Sequence, residues 1–263
     1  MYTIKETFNS ALNRIKVSQL IIACFIAFLV IVVISILFNT DSEGTTLNVF
    51  LYVIILVYLL FNLRGTGASV KLSLKSAFKF NHLKEIVFVV IANLFVTVLL
   101  SVMPFSMNIL GSDILLNNYV VVGSDIVLTI ILAPIVEELV FRGVLLRWLG
   151  SRFNIYIAII VTSLIFGVLH DTGGILSAII FGVCMSFLYI KTNNIFIPIL
   201  AHMFNNIIAE FLAYGYFDSL LNNDIIFGIM CIIGVIFIII LVYYLFKNFK
   251  KFKFYLKDFE LES

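Results

Sequence analysis

The chain has 263 residues, of which 62% are hydrophobic and only 12% are charged. This composition, with a mean hydropathy of +1.16, excludes an ordinary soluble domain, in which about 25% of the residues are charged. The net charge of +2 gives no sign of a nucleic-acid partner, and the three cysteines lie in apolar runs without paired spacing, so neither a disulfide framework nor a cysteine metal site is predicted.

Eight apolar stretches follow one another along the chain. Each approaches the roughly 20 residues that a helix needs to cross a hydrocarbon core about 30 Å thick. Short connectors separate most of them, so we predict one polytopic membrane domain over residues 1–263, all-α, with eight transmembrane helices. The first stretch is too long for a cleaved signal peptide. The predicted helices cover residues 17–38, 47–63, 86–103, 120–146, 155–170, 173–190, 195–213 and 224–246.

The basic residues predict the orientation of these helices. In an eight-helix alternation, every one of the 17 Lys and Arg side chains falls on the same side of the membrane. The opposite connectors contain acidic residues and no Lys or Arg, as the positive-inside rule requires. We therefore predict a multi-pass protein of the cell membrane with both termini in the cytoplasm. The acidic residues of the opposite side are Asp41, Glu43, Asp113, Asp171, Asp218 and Asp224.

The basic connector between the second and third stretches runs from Arg64 to Lys84 and contains several apolar residues. It is interpreted as a loop that obeys the topology rule. The alternative is a segment that lies along the anionic inner leaflet and contacts membrane lipid.

The fourth stretch carries three ionisable residues at membrane depth, namely Glu137, Glu138 and Arg142. One such side chain at the bilayer centre costs about 2.5–3.5 kcal/mol, so the group indicates a functional site. Glu138 and Arg142 have the i, i+4 spacing of a helical ion pair. Because adjacent residues point about 100° apart on a helix, Glu137 is left without this partner and is free to react.

Two more polar groups lie in the fifth and seventh stretches. His170 ends the fifth stretch, which forms an antiparallel hairpin with the fourth, so His170 and Glu137 are expected at similar depth. His202 and Asn206 are one turn apart in the seventh stretch and share a helix face. Such a pair of donors suits a developing oxyanion. The active site is therefore expected among helices four, five and seven.

The three motifs, Glu-Glu-x-x-x-Arg, Phe-x-x-x-His and His-x-x-x-Asn, stand in this order within a core of about residues 120–213. In this the chain resembles the CPBP family of intramembrane proteases, which contains the type II CAAX prenyl endopeptidases and bacterial bacteriocin-processing and immunity relatives. The resemblance implies an endopeptidase that hydrolyses a peptide bond of a membrane-associated protein or peptide with activated water. It implies that Glu137 and His170 activate the water, that His202 and Asn206 stabilise the oxyanion, and that Glu138 with Arg142 supports helix four.

The resemblance leaves two chemistries open. The family is often described as metalloproteases, and Glu137, His170 and His202 form a set of two histidines and one carboxylate that suits zinc. The alternative is a glutamate-activated water without a tightly held metal, since using all three side chains as ligands removes the evident base.

Two other classes of function remain as alternatives to a protease. A relative in such a family can be a non-proteolytic scaffold or a bacteriocin-immunity protein that binds a peptide or a sensor partner. A transporter could also use carboxylates and histidines at membrane depth as a proton relay, but the site motifs are not repeated in inverted order between the two halves of the chain.

Overall fold

The computed structural model describes residues 8–38, 45–101, 126–170, 174–214, 223–249, 251–252 and 255–256. The described residues form helices, and no strand occurs among them. The helices are α1 (Phe8–Leu12), α2 (Val17–Phe38), α3 (Thr45–Asn62), α4 (Gly67–Ala77), α5 (Phe80–Ser101), α6 (residues 128–152), α7 (Ile155–Val168), α8 (Ile175–Thr192), α9 (Phe196–Tyr214) and α10 (Asp224–Phe249).

Helix α6 carries the glutamates and changes its winding along its length. It consists of the successive segments Leu128–Leu132 (π), Ala133–Glu138 (α), Leu139–Leu146 (π) and Arg147–Arg152 (α). Pro134 lies at the first junction, where it removes one backbone donor from the α-helical pattern. The N–H of Ala133 donates to the carbonyl of Leu128, five residues back. The turn that precedes Pro134 is therefore a π-helical turn, which is wider than an α-helical one.

The helix ends differ from the predicted ones at two places that affect the site. Helix α6 continues to Arg152 instead of ending at residue 146, because Arg147 is buried and bonds Asn13 and Tyr189. Helix α5 begins at Phe80 instead of residue 86. The predicted beginning of the fourth stretch lies outside the described residues, as do Asp41, Glu43, Asp113, Asp171 and Asp218.

Four helices are long and apolar enough to cross a membrane, within the part of the chain that the structure describes. The spans are Val17–Leu37, Phe80–Leu100, Ile175–Thr192 and Asp224–Phe249, and shorter apolar helices cover Val49–Asn62, Ile155–Val168 and Phe196–Leu212. Helices α2 and α10 expose most of their apolar side chains, as helices that face lipid do. The chain is therefore a helical membrane protein.

Helix α8 lies at the centre of the bundle and packs against α7, α9 and α5, while α5 also packs against α10 and α9. Close contact between α7 and α8 depends on Gly182, since a Cβ there would lie 3.2 Å from Arg142 Nη2 and 3.1 Å from Ser163 Cβ. Small residues allow this approach where lipid supplies no hydrophobic drive between helices. The bundle thereby brings the polar groups of α6, α7 and α9 together.

The basic connector between α3 and α5 contains α4, a helix of 11 residues. Leu72 is largely exposed on it, whereas Ala77 is fully buried. Asn194, at the start of α9, donates to the carbonyl of Ser73 and to the hydroxyl of Ser76. These bonds fix α4 to the end of the bundle that carries the basic residues.

Candidate active site

The innermost part of the site is an ion pair between Glu138 and Arg142 on α6. Both side chains are fully buried, and Arg142 Nη1 lies 3.0 Å from Glu138 Oε1. Arg142 Nη2 also donates to the carbonyl of Gly182 on α8 at 3.1 Å, and its guanidinium lies 4.5 Å from the ring centroid of Phe166 on α7. The pair expected from the i, i+4 spacing therefore also joins three helices.

The same carboxylate holds one of the two histidines. His202 Nδ1 lies 3.0 Å from Glu138 Oε1, the oxygen that Arg142 contacts. His202 is buried, and its ring lies edge-on to Phe181 and Phe166. A hydrogen bond to Nδ1 makes that nitrogen the donor and turns Nε2 towards the rest of the site. Glu138 thus orients His202, a contact that the sequence spacing did not reveal.

Glu137 points to the other side of α6 and has a different set of neighbours. The hydroxyl of Tyr52 on α3 donates to Glu137 Oε1 at 2.6 Å. The second oxygen, Oε2, is buried and has no hydrogen-bond partner. It lies 4.0 Å from His170 Nε2 and 3.9 Å from His202 Nε2. One carboxylate oxygen therefore faces both imidazoles.

The orientation of His170 resembles that of His202. Its Nδ1 lies 2.7 Å from the carbonyl of Phe166, one turn back on α7, so Nδ1 is the donor and Nε2 is left for the site. Glu137 Oε2, His170 Nε2 and His202 Nε2 are consequently three acceptor atoms that converge in one place. Such a group needs a shared hydrogen-bond donor, a proton on one imidazole, or a cation.

The balance of charge among these side chains likewise calls for an additional proton or a cation. Glu137 and Glu138, when ionised, carry two negative charges, and Arg142 supplies one positive charge. Buried charges are stable only when they are compensated. A proton on His202, which lies between both carboxylates, or a bound cation would complete the balance.

The three converging atoms also fit a metal ion by residue type. They all lie within 4.8 Å of one another, and two imidazoles with one carboxylate form a common zinc set with an open position. In addition, each imidazole is held through Nδ1 by an oxygen acceptor, as metal-binding histidines usually are. The residues therefore fit the metal that the family resemblance implies.

Asn206 completes the group on α9. Its Nδ2 donates to the carbonyl of Thr129 on α6 at 2.8 Å, and its Oδ1 lies 3.4 Å from Asn205 Nδ2. Asn93 Nδ2 on α5 donates to Asn205 Oδ1 at 2.9 Å. A chain of amides thus runs from α5 through α9 to α6 beside His202.

A cavity of about 550 Å³ gives access to these groups. Its lining includes Tyr52, Thr129, Glu137, His170, His202 and Asn206. The volume lies within the range of about 300–1,000 Å³ that is typical of ligand-binding cavities. A peptide segment can therefore reach the two histidines and Glu137 together.

The structure thus brings together all four residues predicted to act in catalysis, together with both supporting residues. Sequence reasoning missed Tyr52, Asn93 and Asn205. Each is a polar residue in a stretch that is predicted to form an apolar helix, and this feature of the sequence could have marked it as a candidate. Only Asn205 is adjacent to a motif residue in the sequence. The packing of the helices was needed to show that Tyr52 and Asn93 also lie near the site.

The segment that carries the motifs is similar to known proteins. Residues 119–208 match a family model described as "Type II CAAX prenyl endopeptidase Rce1-like". The chain is 35% identical over 82 residues to a Bacillus subtilis protein named "Putative membrane peptidase YdiL". That match covers 31% of this chain and 34% of the relative, so the chain matches about a third of the length of this curated relative. No solved structure matches the chain.

The family-model match covers the segment that carries the motifs and the converging side chains. Over this segment the chain is similar to the type II CAAX prenyl endopeptidases, which supports its resemblance to the CPBP family of membrane proteases.

Proposed function

We propose that the protein is an intramembrane endopeptidase that hydrolyses a peptide bond of a membrane-associated protein or peptide. The observation that carries the proposal is the convergence of Glu137 Oε2, His170 Nε2 and His202 Nε2 in a cavity at the level of the apolar helices. Comparing protein termini in cells that express the wild type or Glu137→Gln tests it. New termini in membrane proteins are expected only with the wild type, and identical termini would contradict the proposal.

The attacking water is held between Glu137 and His170. Their facing atoms are 4.0 Å apart, less than twice a hydrogen-bond length of about 2.8 Å, so one water molecule can donate to both. Glu137 takes a proton as the water oxygen bonds to the peptide carbonyl carbon. The same proton then passes to the leaving amine as the carbon–nitrogen bond breaks.

The oxyanion of the tetrahedral intermediate is bound by His202 and Asn206. His202 donates from Nε2 when this nitrogen also carries a proton, since its Nδ1 proton is engaged by Glu138. Asn206 uses one N–H on the carbonyl of Thr129 and has a second for the oxyanion. Donors that are fixed before the reaction stabilise the transition state without reorganising.

A zinc ion fits the same side chains. Glu137, His170 and His202 would hold it, and when bound it would supply a Lewis acid for the peptide carbonyl and lower the pKa of a bound water. The Tyr52 hydrogen bond would then orient the carboxylate ligand, and Glu138 would orient His202.

The role of Asn206 leads to a kinetic prediction. Asn206→Ala should lower turnover by about 10²–10³-fold, because one oxyanion donor is lost, with little change in KM. Asn223→Ala, at the exposed start of α10, is the matched amide control and should leave the rates unchanged. An Asn206→Ala enzyme with wild-type turnover would remove Asn206 from the oxyanion site.

Measuring the metal content of the protein distinguishes the metal-free mechanism from the zinc mechanism. For a water activated by Glu137 alone, chelators should have only a slow or partial effect on cleavage. Under the zinc alternative, the purified active protein should contain one equivalent of zinc, and His202→Ala should lose it. Elemental analysis of both proteins, with zinc re-addition after chelation, decides between them.

We further propose that all eight apolar stretches predicted from the sequence cross the cell membrane and that both termini are cytoplasmic. The positive-inside pattern supports this topology. Cysteines placed at Lys75 and Lys251, in a variant without the three native cysteines, should react with impermeant maleimide only from the cytoplasmic side. Labelling of the two positions from opposite sides would require a different number of crossings.

A further inference from the structure

A second cavity, of about 210 Å³, adjoins the catalytic one. The two cavities have His170, His202, Asn206 and Ala209 in common. The catalytic cavity extends from these residues towards α3 and α6, whereas the second extends towards α5, α7 and α8. A ligand that reacts at the two histidines therefore has the second cavity directly beside the reacting bond.

The size of this second cavity suits one side chain. Its 210 Å³ is several times the roughly 30 Å³ that one water molecule occupies in the liquid, and lies below the volume of cavities that hold whole drug-sized ligands. Most of its wall is apolar, which favours an apolar occupant. The apolar lining residues are Val90, Leu94, Phe166, Ala178, Phe181 and Ile208.

The polar part of the wall is formed by amides. Asn93 donates to Asn205 through Nδ2, while its Oδ1 is buried and has no hydrogen-bond partner. A buried acceptor of this kind is unfavourable until a donor reaches it. The main-chain N–H of a peptide whose side chain occupies the cavity is such a donor.

We propose that the second cavity is the specificity pocket for one large apolar residue next to the cleaved bond, and that Asn93 is a positioning residue that accepts the substrate's main-chain N–H. This rests on the proposed endopeptidase function. A residue in an α-helix already uses its N–H within the helix. The substrate is therefore extended at the site, and a helical membrane segment has to unwind before cleavage.

The pocket is tested with hydrophobic peptides in detergent micelles that differ only at one position beside the cleaved bond, which is Gly, Ala, Leu or Phe. The wild type should prefer Leu or Phe over Gly by at least about tenfold in kcat/KM. The reason is that Leu and Phe bury two or more additional methylene groups, each of which contributes about 0.8 kcal/mol. Ala178→Leu fills the pocket and should reduce this preference at least tenfold. Leu176→Phe, on the exposed face of the same helix, is the control and should keep it.

A second variant covers the case in which Ala178→Leu does not fold. Ile208→Ala enlarges the pocket and should raise the rate for a Trp peptide relative to the Leu peptide. An unchanged preference in a folded, active Ala178→Leu or Ile208→Ala enzyme would overturn the pocket. If the wild type cleaves none of the peptides and matches Glu137→Gln, the endopeptidase function itself fails.

The role of Asn93 is tested by N-methylating the substrate amide that it is proposed to bind. Methylation should lower kcat/KM of the wild type at least tenfold and should have no further effect on Asn93→Ala, because the acceptor is already gone. An equal loss in both enzymes would show that Asn93 does not bind this N–H. The comparison is internal to each variant, so a structural role of Asn93 alone would not produce the difference.

Discussion

Replacing Glu137 with glutamine should abolish cleavage and leave the protein folded. Glutamine keeps the shape of the side chain and can still accept the hydrogen bond from Tyr52, but it cannot take a proton from water. Loss of a general base lowers rates by about 10²–10⁴-fold, which brings turnover to background. The measurement is peptide cleavage by purified protein, together with its thermal melting in the same detergent.

Two controls accompany this variant. Glu85→Gln changes a carboxylate that pairs with Lys191, 2.6 Å away, in an ion pair that the proposed mechanism does not use, and should cleave normally. Tyr52→Phe removes only the hydrogen bond that orients Glu137 and should give an intermediate rate. Normal cleavage by a folded Glu137→Gln protein would contradict the mechanism at its central step.

Replacing Arg142 with alanine should instead destabilise the protein by about 3–5 kcal/mol. The change leaves Glu138, which is fully buried, without its cation, and an uncompensated buried charge is the main cost. Glu138→Gln should be destabilising for the opposite reason, because Arg142 is then left without its carboxylate. Both variants should show lower melting temperatures and lower yields than Glu137→Gln.

A double variant distinguishes the ion pair from simple packing. Glu138→Gln with Arg142→Met removes both charges of the pair and should be more stable than either single variant, since removing both partners costs less than removing one. Arg152→Ala is the matched control, because this arginine is exposed and lies over Trp148. A double variant no more stable than the single ones would mean that the charges do not explain the loss.

Activity of the Glu138 variants carries separate information. Glu138 holds Nδ1 of His202, so even a folded double variant should cleave slowly, because a neutral glutamine holds the imidazole less strongly than a carboxylate does. A scaffold or immunity protein that only binds a partner would depend on the fold and not on this orientation. Partner binding that survives in Glu137→Gln while no cleavage is found in the wild type would favour that class.

Much of the site could be read from the spacing of polar residues in apolar runs. Glu138 and Arg142 are four residues apart, and helix geometry alone brings them together. His202 and Asn206 share a helix face for the same reason. Helix geometry cannot, however, show that Glu138 uses one oxygen for both Arg142 and His202, because His202 is 64 residues away along the chain.

The contacts that the sequence did not predict depend on the packing of distant helices. Tyr52 reaches Glu137 from α3, and Asn93 joins Asn205 from α5. These helices are almost uniformly apolar, so their sequence does not specify which face turns towards the site. Helix α6 extends past the predicted end at residue 146, since the burial of Arg147 depends on Asn13 and Tyr189, which are distant in the sequence.

By itself the sequence indicated a helical membrane protein, a resemblance to one family and the ionisable residues of the candidate site. It could do so because hydrocarbon makes each charged or polar group costly, so those that remain are conspicuous. Only the tertiary structure decided which oxygen of Glu137 faces the histidines, which nitrogens face the cavity, and that a second cavity adjoins the site. These features depend on the relative rotation and depth of neighbouring helices, which side-chain packing determines at close range.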